Sequence, residues 1–214
     1  MVNELRVAEH YSSKNLLNFI KKGLIKEGVD LDWVSSEDLN AVDEFHIGGI
    51  TGTRFVSDKL DLSNTSKVLD IGCGLGGPAR FIAETYKSSV TGIDLTPSYI
   101  ETGVALNELV GLTDKVSLLT ASALDIPFCD NYFDAAYMIH VGMNVADKRQ
   151  LMSEAFRVTK SNGFFVIYDV MKLEDVDIDY PLPWADKKTE SAVESFSNYE
   201  SELVNAGFHI FEKE

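Results

Sequence analysis

Four closely spaced glycines are the residues of this chain best placed to hold a small ligand. They follow a short apolar run that begins at Val68, and they are Gly72, Gly74, Gly76 and Gly77. Glycine allows positive φ angles and lets another molecule approach without a Cβ in the way. Helical spacing resumes at Pro78, so the turn would lie at a helix N-terminus, where free N–H groups favour an anion. A strand, a glycine turn and a helix in this order predict a nucleotide-type site.

The glycine spacing fits two patterns. Gly72-x-Gly74-x-x-Gly77 matches the dinucleotide fingerprint, whereas Asp70-x-Gly72-x-Gly74-x-Gly76 places an acid before the first glycine. A carboxylate in that position can reach a cationic group, which favours a ligand that carries both an ammonium and a carboxylate. The alternative is a strand-to-helix turn without a ligand, which four glycines beside an acid disfavour.

A second acid follows the next predicted strand. Asp94 comes 22 residues after Gly72, where a carboxylate can accept hydrogen bonds from both hydroxyls of a ribose. Its alternative role is to cap the helix that opens at Pro97, but Thr96 is better placed for that. We therefore expect Asp94 to bind a ribose.

Two later segments reach the same edge of the predicted sheet. The small residues of loop 121–128 could border an adenine ring. The fourth predicted strand leads into His140 and Asn144, which places both side chains at the mouth of the site. His140 could instead be a histidine packed in the core.

The elements that would position these residues alternate regularly between strand and helix. The predicted strands are 67–71, 89–94, 115–120, 133–138 and 164–170, and the predicted helices are 77–87, 97–110 and 147–158. Such alternation predicts an α/β fold, a doubly wound and mostly parallel sheet with helices on both faces. Ligands of such sheets bind at the carboxyl ends of the strands.

The residues before the sheet are predicted to be helical. Helical spacing covers 13–26, a capping pattern of Ser35 and Asp38 opens a second helix, and 54–60 forms a third. We interpret residues 1–60 as a helical lid and 61–214 as the ligand-binding domain. In the latter, 171–196 shows no convincing element and is interpreted as a substrate-side loop. Trp184 in this loop and Tyr11 near the amino-terminal helix could close over a substrate from opposite sides.

Composition limits the partners. With 19 Lys plus Arg and 34 Asp plus Glu, the net charge is −15, which argues against a general affinity for nucleic acid or for an anionic membrane. No apolar run approaches the ~20 residues of a membrane span, and the first residues lack a signal-peptide layout. The two cysteines, Cys73 and Cys129, suggest neither a disulfide framework nor a metal site. We expect a cytoplasmic protein without a metal, a monomer or weak homodimer that acts on a small molecule.

Several stretches together resemble one family. They are Val-Leu-Asp-Ile-Gly-Cys-Gly-Leu-Gly-Gly-Pro-Ala-Arg (68–80), Thr-Gly-Ile-Asp-Leu-Thr (91–96), Ile-Pro-Phe-Cys-Asp-Asn-Tyr-Phe-Asp (126–134) and the segment 155–163. This set resembles the Rossmann-like, class I S-adenosylmethionine-dependent methyltransferases and is far more specific than one glycine motif. Asp-Glu-Phe-His-Ile-Gly-Gly (43–49), His-Val-Gly-Met-Asn (140–144) and Tyr-Pro-Leu-Pro-Trp-Ala (180–185) further resemble the sarcosine/dimethylglycine methyltransferase-like branch.

The resemblance implies a cofactor site for S-adenosylmethionine, with S-adenosylhomocysteine as its product. The methionine end would contact the glycine loop, the ribose would contact Asp94 and its neighbour, and Ala123 and Leu124 would border the adenine. The implied cofactor residues are Asp70, Gly72, Gly74, Gly76, Asp94, Leu95, Ala123, Leu124, His140, Gly48 and Gly49. Many relatives have an acid where Ser122 stands, so a side-chain contact to the adenine amine is not expected.

The resemblance also implies an activity. A sulfonium is an activated methyl donor, so the protein must chiefly align a nucleophile and exclude water. His140 and Asn144 are the expected catalytic residues, with His140 as base or orienter, and Tyr11, His46, Met143 and Trp184 are the expected substrate residues. We expect methyl transfer to a small acceptor, for example an amine such as sarcosine or dimethylglycine; the alternative is a non-catalytic cofactor-binding or regulatory domain.

The family sheet normally continues beyond residues 208–214, which would begin a further strand. Its antiparallel partner strand is missing from this sequence. We therefore expect either a fragment or a sheet edge that is closed differently.

Overall fold

A five-stranded parallel sheet forms the centre of the molecule. The computed structural model describes residues 3–11, 15–173 and 177–214. The strands are β1 (Lys67–Ile71), β2 (Ser89–Asp94), β3 (Val116–Thr120), β4 (Phe133–Ile139) and β5 (Thr159–Tyr168). Their order is β3-β2-β1-β4-β5, and every neighbouring pair is parallel. This confirms the predicted α/β class.

Eight α-helices accompany the sheet in the described residues. They are α1 (Glu4–Tyr11), α2 (Leu16–Lys26), α3 (Ser36–Asp43), α4 (Gly49–Asp58), α5 (Gly77–Tyr86), α6 (Pro97–Leu109), α7 (Lys148–Val158) and α8 (Phe196–Ala206), with 3-10 helices at Leu31–Trp33, Gly142–Asn144 and Lys188–Glu190. In the part of the chain that the structure describes, no helix has the length and apolar character to cross a membrane.

Helices cover both faces of the sheet. On one face, Leu69 and Met138 pack with Leu151 of α7 and Tyr199 of α8. On the other face, strand residues such as Val68 pack against α4 and α5. A third cluster joins α2, α3 and α6 around the glycine-loop residue Leu75. Because both faces are buried, the strands read as almost continuous apolar runs, which is why the sequence predicted them well.

Three boundaries differ from the predictions. β5 begins at Thr159 rather than 164, because the pairing with β4 shifts register near Phe133 and Ala135, and a left-handed Asn162 (φ 69°) lies inside the strand. α4 begins at Gly49 rather than 54. The expected strand at 208–214 is wrong, since no regular element follows α8.

The amino-terminal predictions have mixed outcomes. The Ser35 capping box is confirmed: its hydroxyl accepts from the Asp38 N–H at 3.3 Å, and its own N–H donates to the Asp38 carboxylate at 2.9 Å. The helix predicted over 13–26 is α2, and its first two residues lie outside the described residues. α1 was not predicted, and Tyr11 is its last residue. The division at residue 60 stays a prediction.

A buried arginine joins the amino-terminal helices to the sheet domain. Arg80 of α5 is 1% exposed, and its guanidinium donates to the Asp43 carboxylate at 2.5 Å, to Asn107 Oδ1 at 2.6 Å and to the Leu75 carbonyl at 2.9 Å. Burial raises the pKa of Asp43 to about 6, although the charge and hydrogen bond of Arg80 oppose that rise. The network therefore holds α3, the glycine loop and α6 together.

We expect Arg80→Met to lower the free energy of unfolding by about 3 to 5 kcal/mol, because it leaves a buried carboxylate and a buried carbonyl without their donor. Urea denaturation monitored by circular dichroism would measure the change. The matched control is Arg149→Met on exposed α7 surface, for which we expect less than about 0.5 kcal/mol. A loss below about 1 kcal/mol for Arg80→Met would contradict this role.

Candidate active site

One cavity of about 730 Å³ lies at the carboxyl ends of β1, β2 and β4, where the sheet topology predicted a ligand. Seven segments of the chain form its walls: α1, residues 43–47, the glycine loop, the three loops after β2, β3 and β4, and the Pro183–Trp184 segment. The volume falls in the range of small-molecule sites.

The glycine loop contributes both an open surface and a buried acid. A Cβ added at Gly74, where φ is 54°, would meet no atom within 4 Å, so the space above this residue is part of the cavity. Asp70 is 2% exposed and lines the cavity, and its Oδ2 has no hydrogen-bond partner among the described residues. Burial raises the pKa of Asp70 to about 7. Hydrogen bonding by the Tyr137 hydroxyl partly opposes this rise of the pKa. A ligand that brings a donor or a cation would satisfy the unpartnered Oδ2.

At two glycines of the loop, neighbouring side chains leave little or no room for a Cβ. A Cβ at Gly72 would lie 2.4 Å from Val141 Cγ2, and one at Gly76 would lie 3.0 Å from Leu118. Gly72 lines the cavity, whereas Gly76, which is the N-cap of α5, does not. The close spacing of the glycines thus serves the turn and its packing as well as the cavity.

Asp94 holds the loop and reaches the cavity. Its Oδ2 accepts from the Gly74 N–H at 3.0 Å, and its Oδ1 accepts from the Thr96 N–H at 2.8 Å. Thr96 is the N-cap residue of α6 as expected, but its side chain makes no capping hydrogen bond. Burial raises the pKa of Asp94, and the backbone donors partly oppose this rise.

His140 lies in the cavity wall and not in the apolar core. Its backbone is left-handed, with φ 55°, and its N–H donates to the Tyr168 carbonyl at 2.8 Å. The His140 ring stacks on the Tyr168 ring at 5.6 Å between centroids. Burial, followed by the charge of His46, lowers the pKa of His140 to about 4. The imidazole is therefore neutral near pH 7.

Asn144 and Tyr11 meet across the cavity. The Asn144 amide donates to the Tyr11 hydroxyl at 3.3 Å, and Asn144 Oδ1 is buried without a partner among the described residues. Tyr11 also contacts Tyr99 of α6, with ring centroids 6.1 Å apart. An unsatisfied acceptor and the neutral His140 therefore both belong to the loop after β4 that lines the cavity.

Hydrogen bonds to Glu44 and to the backbone hold the His46 ring in place. Its Nε2 lies 2.6 Å from Glu44 Oε2, and its Nδ1 lies 3.2 Å from the Ile47 carbonyl. Burial alone would lower the pKa of His46, but the hydrogen bonds to Glu44 and Ile47 and the charge of Glu44 raise it. Because a carbonyl can only accept, this arrangement favours the doubly protonated ring.

Most predicted site residues line this one cavity. Those that do are Asp70, Gly72, Gly74, Asp94, Leu95, Ala123, Leu124, His140, Asn144, Tyr11, His46, Met143 and Trp184. Gly76, Gly48 and Gly49 do not. Gly48 is the N-cap of α4, and a Cβ there would contact Gly52 and the Tyr168 hydroxyl.

Sequence reasoning missed other members of the wall. Glu4 and Val7 come from α1, Tyr99 lies in the first turn of α6, and Asp147 is the N-cap of α7. Tyr99 and Asp147 lie in the segments that follow β2 and β4, so this position in the sequence could have indicated that they line the cavity. Glu4 and Val7 lie in a short, mostly exposed helix, so periodicity gave no indication of their place.

Comparison with known proteins relates the central part of the chain to methyltransferases. Residues 69–167 match a family model described as a methyltransferase domain. The chain is 29% identical over 178 residues to the methyltransferase GfsG of Streptomyces halstedii, a match that covers 82% of this chain and 64% of GfsG. It is 35% identical over 124 residues to a sterol 4-C-methyltransferase of Caenorhabditis elegans, covering 58% of this chain and 37% of that protein. The chain thus spans less than two thirds of the length of these relatives.

Solved structures share the fold. The geranyl diphosphate C-methyltransferase of Streptomyces coelicolor A3(2), solved with Mg²⁺, geranyl diphosphate and S-adenosylhomocysteine, matches with a TM-score of 0.66 at 18% identity, over 95% of this chain and 78% of that one. A protein described as a candidate sarcosine dimethylglycine methyltransferase of Galdieria sulphuraria matches with a TM-score of 0.64 at 18% identity, over 89% and 73%.

At these identities the solved structures establish the fold alone. They do not assign the chain to the sarcosine/dimethylglycine branch. Residues 69–167 are thus similar to methyltransferase domains, and the parallel sheet that contains them has the Rossmann-like fold of the solved methyltransferases.

Proposed function

We propose that the chain binds S-adenosylmethionine in this cavity and transfers its methyl group to a small-molecule acceptor. The observation that carries the proposal is the buried, unpartnered Asp70 Oδ2 beside the open surface of Gly74. This pair fits a ligand with a cationic amine that comes close to the backbone, as the amino-acid end of the cofactor would.

The other cofactor contacts follow from the positions of the side chains. Asp94 would accept the ribose hydroxyls at the end of β2, with Leu95 beside it. Ala123 and Leu124 would border the adenine, since they line the cavity on the β3 side. Gly48, Gly49 and Gly76, which lie outside the cavity wall, would act only through the shape of their turns.

The chemistry requires little beyond alignment. When bound, S-adenosylmethionine supplies an activated methyl group on a positively charged sulfur. The acceptor's nucleophile bonds to the methyl carbon as the carbon–sulfur bond breaks, and the electron pair of that bond stays on sulfur. The acceptor's proton passes to the neutral His140, while Asn144 Oδ1 orients the donor group.

The finer expectations of the sequence stay predictions. An amine such as sarcosine or dimethylglycine is still to be assayed as an acceptor. The role of substrate contact is still to be tested for His46, Met143, Trp184 and Tyr11. The state of monomer or weak homodimer and the absence of nucleic acid partners are likewise expectations. A domain that binds the cofactor without turnover has no specific observation in its favour.

We expect Asp94→Asn to weaken binding of S-adenosylhomocysteine at least about tenfold, because a hydrogen bond to a charged group contributes about 1.5 to 3 kcal/mol. Isothermal titration calorimetry would measure the affinity. The control is Asp125→Asn in the exposed part of the loop after β3, which should bind normally. Unchanged affinity in Asp94→Asn, with normal thermal stability, would count against the ribose contact.

We expect the His140 ring to titrate near pH 4, so that methyl transfer persists from pH 7 to pH 5 and falls only as the ring becomes protonated. The NMR signal of its Cε1–H, assigned by its loss in His140→Asn, would give the midpoint. The same variant should lower kcat about a hundredfold with little change in the KM of the cofactor. A midpoint near 6.5, or an unchanged kcat, would contradict a role as base.

A further inference from the structure

Apart from His46, which is paired with Glu44, the charged side chains of the cavity wall are acids. Among the described residues of the wall, none is Lys or Arg, whereas Glu4, Asp70, Asp94 and Asp147 are present, together with Asp43, whose charge is compensated by the buried Arg80. The cofactor would bring one sulfonium and one ammonium, together with its own carboxylate. The cavity therefore offers a negative environment to anything that enters after the cofactor.

The two histidines in the wall do not change this balance. Both nitrogens of His46 are already within hydrogen-bond distance of acceptors, Nε2 with Glu44 at 2.6 Å and Nδ1 with the Ile47 carbonyl at 3.2 Å. A Cβ at Gly52 would lie 3.3 Å from Nδ1, so α4 covers that side of the ring. His140 is neutral. Neither ring presents an unused cationic donor to a second ligand.

Several residues of the cavity wall are apolar. They are side chains from α1, the segment before α4, the loop after β4 and the Trp184 segment, namely Val7, Phe45, Ile47, Ile139, Met143 and Trp184. Phe45 and Ile47 are 65% and 68% exposed, although both are large and apolar. Burying such surface favours an apolar molecule by about 25 cal/mol per Å².

One polar feature interrupts this wall. Asn144 Oδ1 is buried without a partner among the described residues, and the Asn144 amide is held by the Tyr11 hydroxyl at 3.3 Å. A fixed oxygen acceptor selects a ligand group that donates a hydrogen bond. A hydroxyl at the reacting end of an otherwise apolar molecule meets this requirement.

We infer that the methyl acceptor is a neutral, largely apolar hydroxyl compound, and that the cavity rejects acceptors that carry a carboxylate or a phosphate. The inference rests on the proposed function and narrows its substrate. It runs against sarcosine and dimethylglycine, because their carboxylate would lose its hydration without gaining a cation.

The test compares two probes that differ by one charge. With the protein saturated by S-adenosylhomocysteine, calorimetry would measure the Kd of 2-naphthol and of 6-hydroxy-2-naphthoate, which share the rings and the hydroxyl. We expect the carboxylate to bind at least tenfold more weakly, and sarcosine to show no saturable binding at millimolar concentration. Equal or tighter binding of the carboxylate, or no binding of either naphthol, overturns the inference.

A cation added to the cavity wall should reduce the preference against the carboxylate probe. Ile47→Arg places a cation on an exposed position of the apolar wall, and we expect it to tighten 6-hydroxy-2-naphthoate at least fivefold relative to the neutral control Ile47→Gln. No difference between the two variants would also overturn the inference. If S-adenosylhomocysteine itself fails to bind, the proposed function falls and the inference with it, whereas cofactor binding with the wrong probe preference overturns the inference alone.

Discussion

The burial of one guanidinium group determines where the cavity lies. Arg80 is 1% exposed and donates to Asp43, Asn107 and the Leu75 carbonyl. A buried charge needs partners, and the three acceptors of the two terminal guanidinium nitrogens belong to α3, α6 and the glycine loop. The arginine thus fixes the segment that follows α3 against the loop, so that Phe45, His46 and Ile47 become a wall of the site.

A consequence of this arrangement is that the pKa values of two neighbouring histidines shift in opposite directions. The His46 and His140 rings lie 6.0 Å apart. Glu44 and the Ile47 carbonyl favour the charged form of His46, whereas burial and the nearby His46 charge keep His140 neutral by lowering its pKa to about 4. Pairs whose environments separate their pKa values in this way divide the roles of fixed charge and proton acceptor between them. Glu44 thereby affects His140 without touching it.

The sequence predicted the elements whose residues follow a strict pattern. Strands buried on both faces give apolar runs, and the glycine loop gives unusual spacing, so β1, α5, β2 and the edge of the sheet that holds the site followed from local rules. Asp94 was located correctly at the cavity, but its use of the Thr96 N–H depends on backbone geometry that spacing does not encode. α1 has no buried residue, and its approach to the site depends on tertiary contacts alone. The Glu44–His46 pair lay within a recognised motif, yet its chemistry appears only when Thr53 and Gly52 of α4 pack beside it.

In the proposed function, the buried Asp70 carboxylate receives the ammonium group of the cofactor. Burial raises the pKa of Asp70 to about 7, and a cation placed against it must lower that pKa, so binding releases protons at neutral pH. Calorimetry of S-adenosylhomocysteine binding at pH 7, in buffers of different ionisation enthalpy, measures this release. If Asp70 receives the ammonium, binding releases up to about half a proton per molecule of ligand. We expect this release to be absent in Asp70→Asn. Binding without proton release, or release that is unchanged in Asp70→Asn, would contradict this role of Asp70.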